Sequence, residues 1–81
     1  MSETLDKVKK VTAELLKIDA ATIEEGSRFV DDLGAESIQS IELVASFEEE
    51  FDIEMDEDAA LAVKSVSDAV TFIDKVIAEQ S

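Results

Sequence analysis

The 81 residues carry 21 acids against 7 bases, a formal charge of −14, with no cysteine and no histidine. That balance makes nucleic-acid backbones and anionic membrane surfaces poor partners and basic protein surfaces good ones. It also excludes a disulfide framework, a thiol nucleophile, a thiolate metal site and any Ser-His-Asp arrangement within the chain. The length fits one small domain, residues 1–81, with a modest core and too little bulk for a deep enzyme pocket. Nothing resembles a signal peptide and no apolar run approaches a membrane span, so the expectation is a soluble, cytoplasmic monomer.

In chain order, Ser2 is placed to cap a first helix ending near Lys17. Leu5, Val8, Val11, Leu15 and Leu16 form its apolar stripe, with Lys7, Lys10 and Lys17 away from it. Residues 18–36 read as a long connection marked by Asp19, Thr22, Gly26, Ser27 and Gly34. A connection of this length signals either function or a missed element. Ile18, Ile23, Phe29, Val30 and Leu33 are expected to pin it to the core, with a short helical turn around Arg28–Asp32. Gly34 is a candidate for positive φ, or for room beside the serine.

The central helix is predicted over Ser37–Phe51, with Ser37 at the N-cap. At about 100° per residue, Ile41, Leu43, Val44, Phe47 and Phe51 form one broad apolar face. Ile38, Glu42, Ala45 and Glu49 fall on the opposite side. Ile38 then either folds back onto the preceding loop or stands out as an apolar knob ringed by carboxylates.

Asp52-Ile53-Glu54-Met55-Asp56-Glu57-Asp58 alternates acid and apolar residues. It is not a calcium-binding EF-hand loop: from Asp52, the turn-glycine position holds Glu57 and the bidentate-glutamate position holds Val63. Asp56 or Asp58 can cap a short helix over Glu57–Val63. Ser65 with Asp68 resembles a capping box opening a last helix to about Ala78. Val66, Ala69, Val70, Ile73, Val76 and Ile77 form its inner face, and Glu79, Gln80 and Ser81 are expected to fray. The fold class is all-α: a small antiparallel four-helix bundle, three longer helices and one short, with a long first loop.

Charge is uneven along this plan. Twelve acids and no base lie between Arg28 and Lys64, while four of the six lysines fall in the first seventeen residues. Repulsion among acids such as Glu42, Glu48 and Glu49 would be relieved by a partner bearing Lys or Arg.

Asp32-Leu33-Gly34-Ala35-Glu36-Ser37-Ile38 resembles the Asp-Ser-Leu attachment motif of acyl carrier proteins. The likeness continues through Ile41-Glu42-Leu43-Val44 and Phe47-Glu48-Glu49-Glu50-Phe51-Asp52-Ile53-Glu54, and covers essentially the whole chain. Read alone, Ser37 is a helix cap worth about 1 kcal/mol. The resemblance implies that Ser37 carries 4′-phosphopantetheine, attached from coenzyme A by a phosphopantetheinyl transferase, whose thiol holds acyl groups as thioesters. It implies a non-catalytic carrier serving fatty acid, polyketide or specialised lipid enzymes with basic docking patches.

The docking positions implied are Glu36, Ile38, Glu42, Ala45, Glu48 and Glu49. The implied acyl-chain lining is Phe29, Ile41, Val44, Phe47, Ile53, Leu61, Val63 and Val70, an ordinary packed core before loading. Glu36 replaces the usual aspartate, Ile38 the usual leucine, Gln39 a common acid and Ala45 a common methionine, which points away from housekeeping partners. An aminoacyl or peptidyl carrier, and an acidic interaction module that never receives the arm, are the alternatives.

Overall fold

The computed structural model describes residues 3–80. It is helical, in the order α1 (Glu3–Leu16), a single 3-10 turn (Ala20–Thr22), α2 (Ser37–Phe51), α3 (Glu57–Leu61) and α4 (Val66–Gln80). Three long helices and one short one match the periodicity of the sequence, and no strand occurs among the described residues. The expected cap at Ser2 lies outside those residues. α1 packs against both α2 and α4, and α3 packs on α2. The buried core draws Leu5, Val8 and Val11 from α1, Leu43 and Phe47 from α2, and Val66, Ala69 and Ile73 from α4. Leu15, Leu16, Val70, Val76 and Ile77 pack at its margin.

Two helices end on left-handed residues that are not glycine. Lys17 has φ 58° and Asp52 has φ 54°. In each case the next amide closes a six-residue loop: Ile18 N–H donates to the Ala13 carbonyl at 3.0 Å, and Ile53 N–H to the Glu48 carbonyl at 3.1 Å. This closure satisfies carbonyls that a helix end otherwise leaves open. A lysine has no short polar side chain to ease the left-handed conformation, so Lys17 sits there at a steric cost.

The long connection contains more structure than its composition suggests. Asp19 caps the 3-10 turn, its carboxylate accepting from Ala21 N–H at 2.9 Å. The segment is then stitched to the approach to α4. Phe29 N–H donates to the Lys64 carbonyl at 3.0 Å, Val66 N–H to the Ser27 carbonyl at 2.9 Å, and Ser67 N–H to the Glu25 carbonyl at 2.8 Å. Arg28 and Ser65 form an isolated antiparallel bridge. Around Arg28–Asp32 the expected short helical turn is present as a single α-turn, Asp32 N–H donating to the Arg28 carbonyl at 2.9 Å, and it does not continue into a helix: Leu33 N–H shares the same carbonyl at 2.9 Å. Ile23 and Phe29 are buried and Ile18 and Leu33 half-buried, but Val30, expected to pin the loop, is 55% exposed.

The last two helices also differ from expectation at their ends. α3 stops at Leu61 rather than Val63. Of its two candidate caps Asp56 serves, accepting from Asp58 N–H at 3.1 Å. Ser65 Oγ accepts from Asp68 N–H at 3.2 Å at the start of α4. α4 runs on to Gln80 instead of fraying after Ala78. The Gln80 amide is engaged with the backbone of Glu54, at 2.8 Å from its carbonyl and 3.4 Å from its N–H. Apolar periodicity stops at Ile77, and a bond spanning 26 residues leaves no local trace.

Thr12 is wholly buried and its hydroxyl has no hydrogen-bond partner. A buried, unsatisfied hydroxyl is destabilising, whereas a methyl of the same shape is not. Thr12→Val should therefore raise the unfolding free energy by about 1 kcal/mol, read from the urea midpoint at unchanged slope. Lys17→Gly should likewise stabilise by about 1 kcal/mol, by removing the left-handed penalty.

Asp32 adds a pH term. Its carboxyl is held below the usual carboxylate range, first by the Arg28 side chain at 3.2 Å and then by the Arg28 N–H at 2.8 Å. A carboxylate with a depressed folded-state pKa stabilises above its unfolded pKa, and that contribution disappears as pH falls through the folded value. Asp32→Asn should thus be less stable than the parent at pH 7. The gap should close below about pH 4, followed by denaturation at matched ionic strength.

Candidate functional site

Ser37 is the first residue of α2, not its cap. The cap is Glu36, in extended conformation with φ −84° and ψ 165°. Its N–H donates to Gln39 Oε1 at 2.9 Å, and its carbonyl accepts the first helical bond from Ser40 N–H at 3.0 Å. The shift matters chemically. An N-cap serine spends its hydroxyl on the backbone of the first turn, whereas Ser37, one position later, is exposed and leaves that work to Glu36 and Gln39. The amides of Ser37 and Ile38 have no acceptor within the helix. They give this end the donors and the positive dipole end that favour a phosphate. Gly34, at φ 73°, makes the reversal before the helix, and the Phe29 carbonyl fixes the next residue by accepting from Ala35 N–H at 2.8 Å.

Three large apolar residues are exposed among the described residues: Val30 at 55%, and Ile38 at 65% and Ile41 at 49% within the first five residues of α2 with Ser37. Ile38 does not fold back onto the loop. Ile41, expected on the buried face, lies outside it. The two α2 residues that are fully buried, Leu43 and Phe47, centre that face near 220° on the helical projection, about 140° from Ile41. Ile38 and Ile41 are three residues apart and so form one apolar ridge. Glu36, Glu42, Ala45 and Glu49 are exposed as well. Glu48 differs from them: it is half-buried, and its carboxylate accepts from Met55 N–H at 2.9 Å. Its charge is engaged inside the molecule, where the sequence had suggested a docking contact.

Behind this face, between α2, α3 and α4, lies a cavity of about 520 Å³. It is larger than the packed core and modest bulk expected from the length. Phe29, Val44, Phe47, Leu61 and Val63 line it, as the resemblance implies, while Ile41, Ile53 and Val70 do not. Ile53 is buried in the core and Val70 packs at its edge. The Phe29 and Phe47 rings meet at 6.4 Å between centroids, tilted by 52°. Val30, Leu43, Met55, Ala60, Ala69, Phe72 and Ile73 complete the apolar wall. Leu43, Ala69 and Ile73 were legible as inward-facing by periodicity; Met55 and Phe72 had no such signal.

Polar groups on the cavity wall are few: Arg28, Asp31, Ser40 and Lys64. Arg28, Asp31 and Lys64 are exposed, so the cavity meets solvent on their side. Ser40 stands one turn after Ser37 on the same helical face, so the serine rank leads to the cavity. Among the described residues, no group of three or more acids is arranged to hold a metal ion, and no helix is long and apolar enough to cross a membrane.

An exposed hydroxyl at a donor-rich helix start, one turn from an apolar cavity, fits a phosphate-linked arm. Residues 6–73 match the model of a family described as the phosphopantetheine attachment site. The motif at residues 32–38 lies inside that match. Domains of this family are the site of covalent 4′-phosphopantetheine attachment and are generally non-catalytic. They interact with a phosphopantetheinyl transferase and with the enzymes they serve. The chain belongs to the phosphopantetheine attachment-site family, and is a carrier domain of the kind that acyl carrier proteins represent.

Proposed function

We propose that the chain is an acyl carrier without catalytic activity of its own, with Ser37 as the attachment point. The observation that carries this reading is the free Ser37 hydroxyl, released from capping by Glu36 and Gln39. Ser37 needs no base beside it, because the transferase does the chemistry. When attached, the arm supplies a thiol that holds cargo as a thioester. The amides of Ser37 and Ile38 favour the phosphate at the foot of the arm.

Two further features support an acyl cargo over an aminoacyl one. The cavity wall is apolar except for Ser40 and the charged groups on its solvent side, and its volume is within the range of small-molecule sites, about 300–1,000 Å³. Beyond the solvent side, where Asp31 stands, a charged amine would lose hydration without a charged partner. The ridge of Ile38 and Ile41, with Glu36, Glu42 and Glu49 about it, supports docking to enzymes with basic surfaces. The apolar pair provides buried contact and the acids speed and orient the encounter. Gln39 and Ala45 leave this surface less acidic and less bulky than the family's usual pattern, which supports a specialised lipid or polyketide route.

Intact mass decides the attachment point. After incubation with coenzyme A, magnesium and a broad-specificity transferase, the parent should gain one phosphopantetheine, and Ser37→Ala, equally helical, should gain none. No gain in a folded parent would favour the unmodified interaction module. Ile38→Ala should leave stability within about 0.5 kcal/mol of the parent and lower the transferase kcat/KM by roughly tenfold, measured by coenzyme A turnover.

A further inference from the structure

The α3 wall of the cavity is built from the least self-sufficient part of the chain. α3 has five residues, too few to hold its own shape in water. It carries Ala60 and Leu61 into the wall, and the connection before it carries Met55. Its position therefore depends on how its two ends are fixed. The far end is held by backbone bonds, Phe29 N–H on the Lys64 carbonyl and Val66 N–H on the Ser27 carbonyl. The near end is held by side chains from two different helices. Gln80, at the end of α4, matches its amide to both backbone groups of Glu54, in the way a neighbouring peptide would. Glu48, near the end of α2, takes Met55 N–H.

These three bonds tie together, through residues 54 and 55, the two long helices that the cavity separates. We propose that Gln80 and Glu48 are positioning residues that latch the α2–α3 connection and so set how readily cargo leaves the cavity. This rests on the acyl-carrier reading above. Neither side chain touches the cavity, since neither is among its lining residues; both act through Met55 and α3. Glu48 also lies on the helix that bears the docking ridge, so a basic partner that draws its carboxylate outward frees Met55 N–H and loosens the latch from the docking side.

The test has one arm on the unloaded protein and one on the octanoyl-loaded protein. In the unloaded protein, Gln80→Ala and Glu48→Ala should each speed amide hydrogen exchange at Glu54, Met55 and α3 by roughly fivefold, with α1 unchanged. Glu48→Gln keeps an acceptor and should exchange like the parent. Gln80→Glu keeps length and helix propensity but sets a carboxylate against the Glu54 carbonyl, and should behave like Gln80→Ala. In the loaded protein, the thioester of Gln80→Ala should be cleaved by hydroxylamine roughly fivefold faster than that of the parent.

Exchange or cleavage at the parent rate in Gln80→Ala overturns the latch, as does faster exchange spread evenly through α1. The reference is free octanoyl-pantetheine. If the parent's thioester is no better protected than that small molecule, the cavity does not shelter cargo, and the carrier-cavity reading falls with the latch. If the parent is protected and Gln80→Ala equally so, the latch alone is wrong.

Discussion

The backbone bonds between residues 25–29 and 64–67 are the constraint on which the rest of the molecule depends. They are few, and none belongs to a helix. Yet they fix the long irregular segment before α2 against the approach to α4, help bury Phe29, and set the far anchor of α3. Without them the connection would be a flexible loop whose closure costs chain entropy, and the serine that follows would have a less defined relation to the cavity. A single antiparallel pair does this because the amides and carbonyls involved satisfy each other and leave Ile23 and Phe29 to be buried behind them.

The start of α2 shows how a functional hydroxyl is kept available. Helix ends demand acceptors for their first amides, and serine is among the best residues for that task. Placing Glu36 and Gln39 around Ser37 meets part of that demand without it. Gln39 thus has a reason that is local and structural. The same residues leave the donor-rich end of the helix facing solvent.

Acidity in this chain serves more than one purpose. Among the described residues, ion pairs form only between Arg28 and its neighbours Asp31 and Asp32, so most carboxylates face water without a counter-charge. Such pairs add little to stability at an exposed site, and the excess charge repels itself. Glu48 is an exception by geometry, turned inward to hold a backbone amide. Lys7 is engaged differently, with its ammonium 5.6 Å from the centre of the Phe51 ring, tying α1 to the end of α2.

By itself the sequence determined the helix count, the span of α2, the inward faces of α1 and α4, and the motif around Ser37. These follow from apolar periodicity and from residue types within a few positions of each other, which are local signals. Leu43 and Phe47 were legible in this way, and so was the positive φ of Gly34. Tertiary structure alone decided the exposure of Val30 and Ile41, because an apolar residue in a connection or at the edge of a helical face is covered only if a neighbour reaches it. It also decided that Met55 and Phe72 meet Phe29 and Phe47 around one cavity, and that Gln80 reaches back to Glu54. Those arrangements join residues far apart in sequence through packing and single hydrogen bonds, and no pattern along the chain encodes which distant backbone group a side chain will meet.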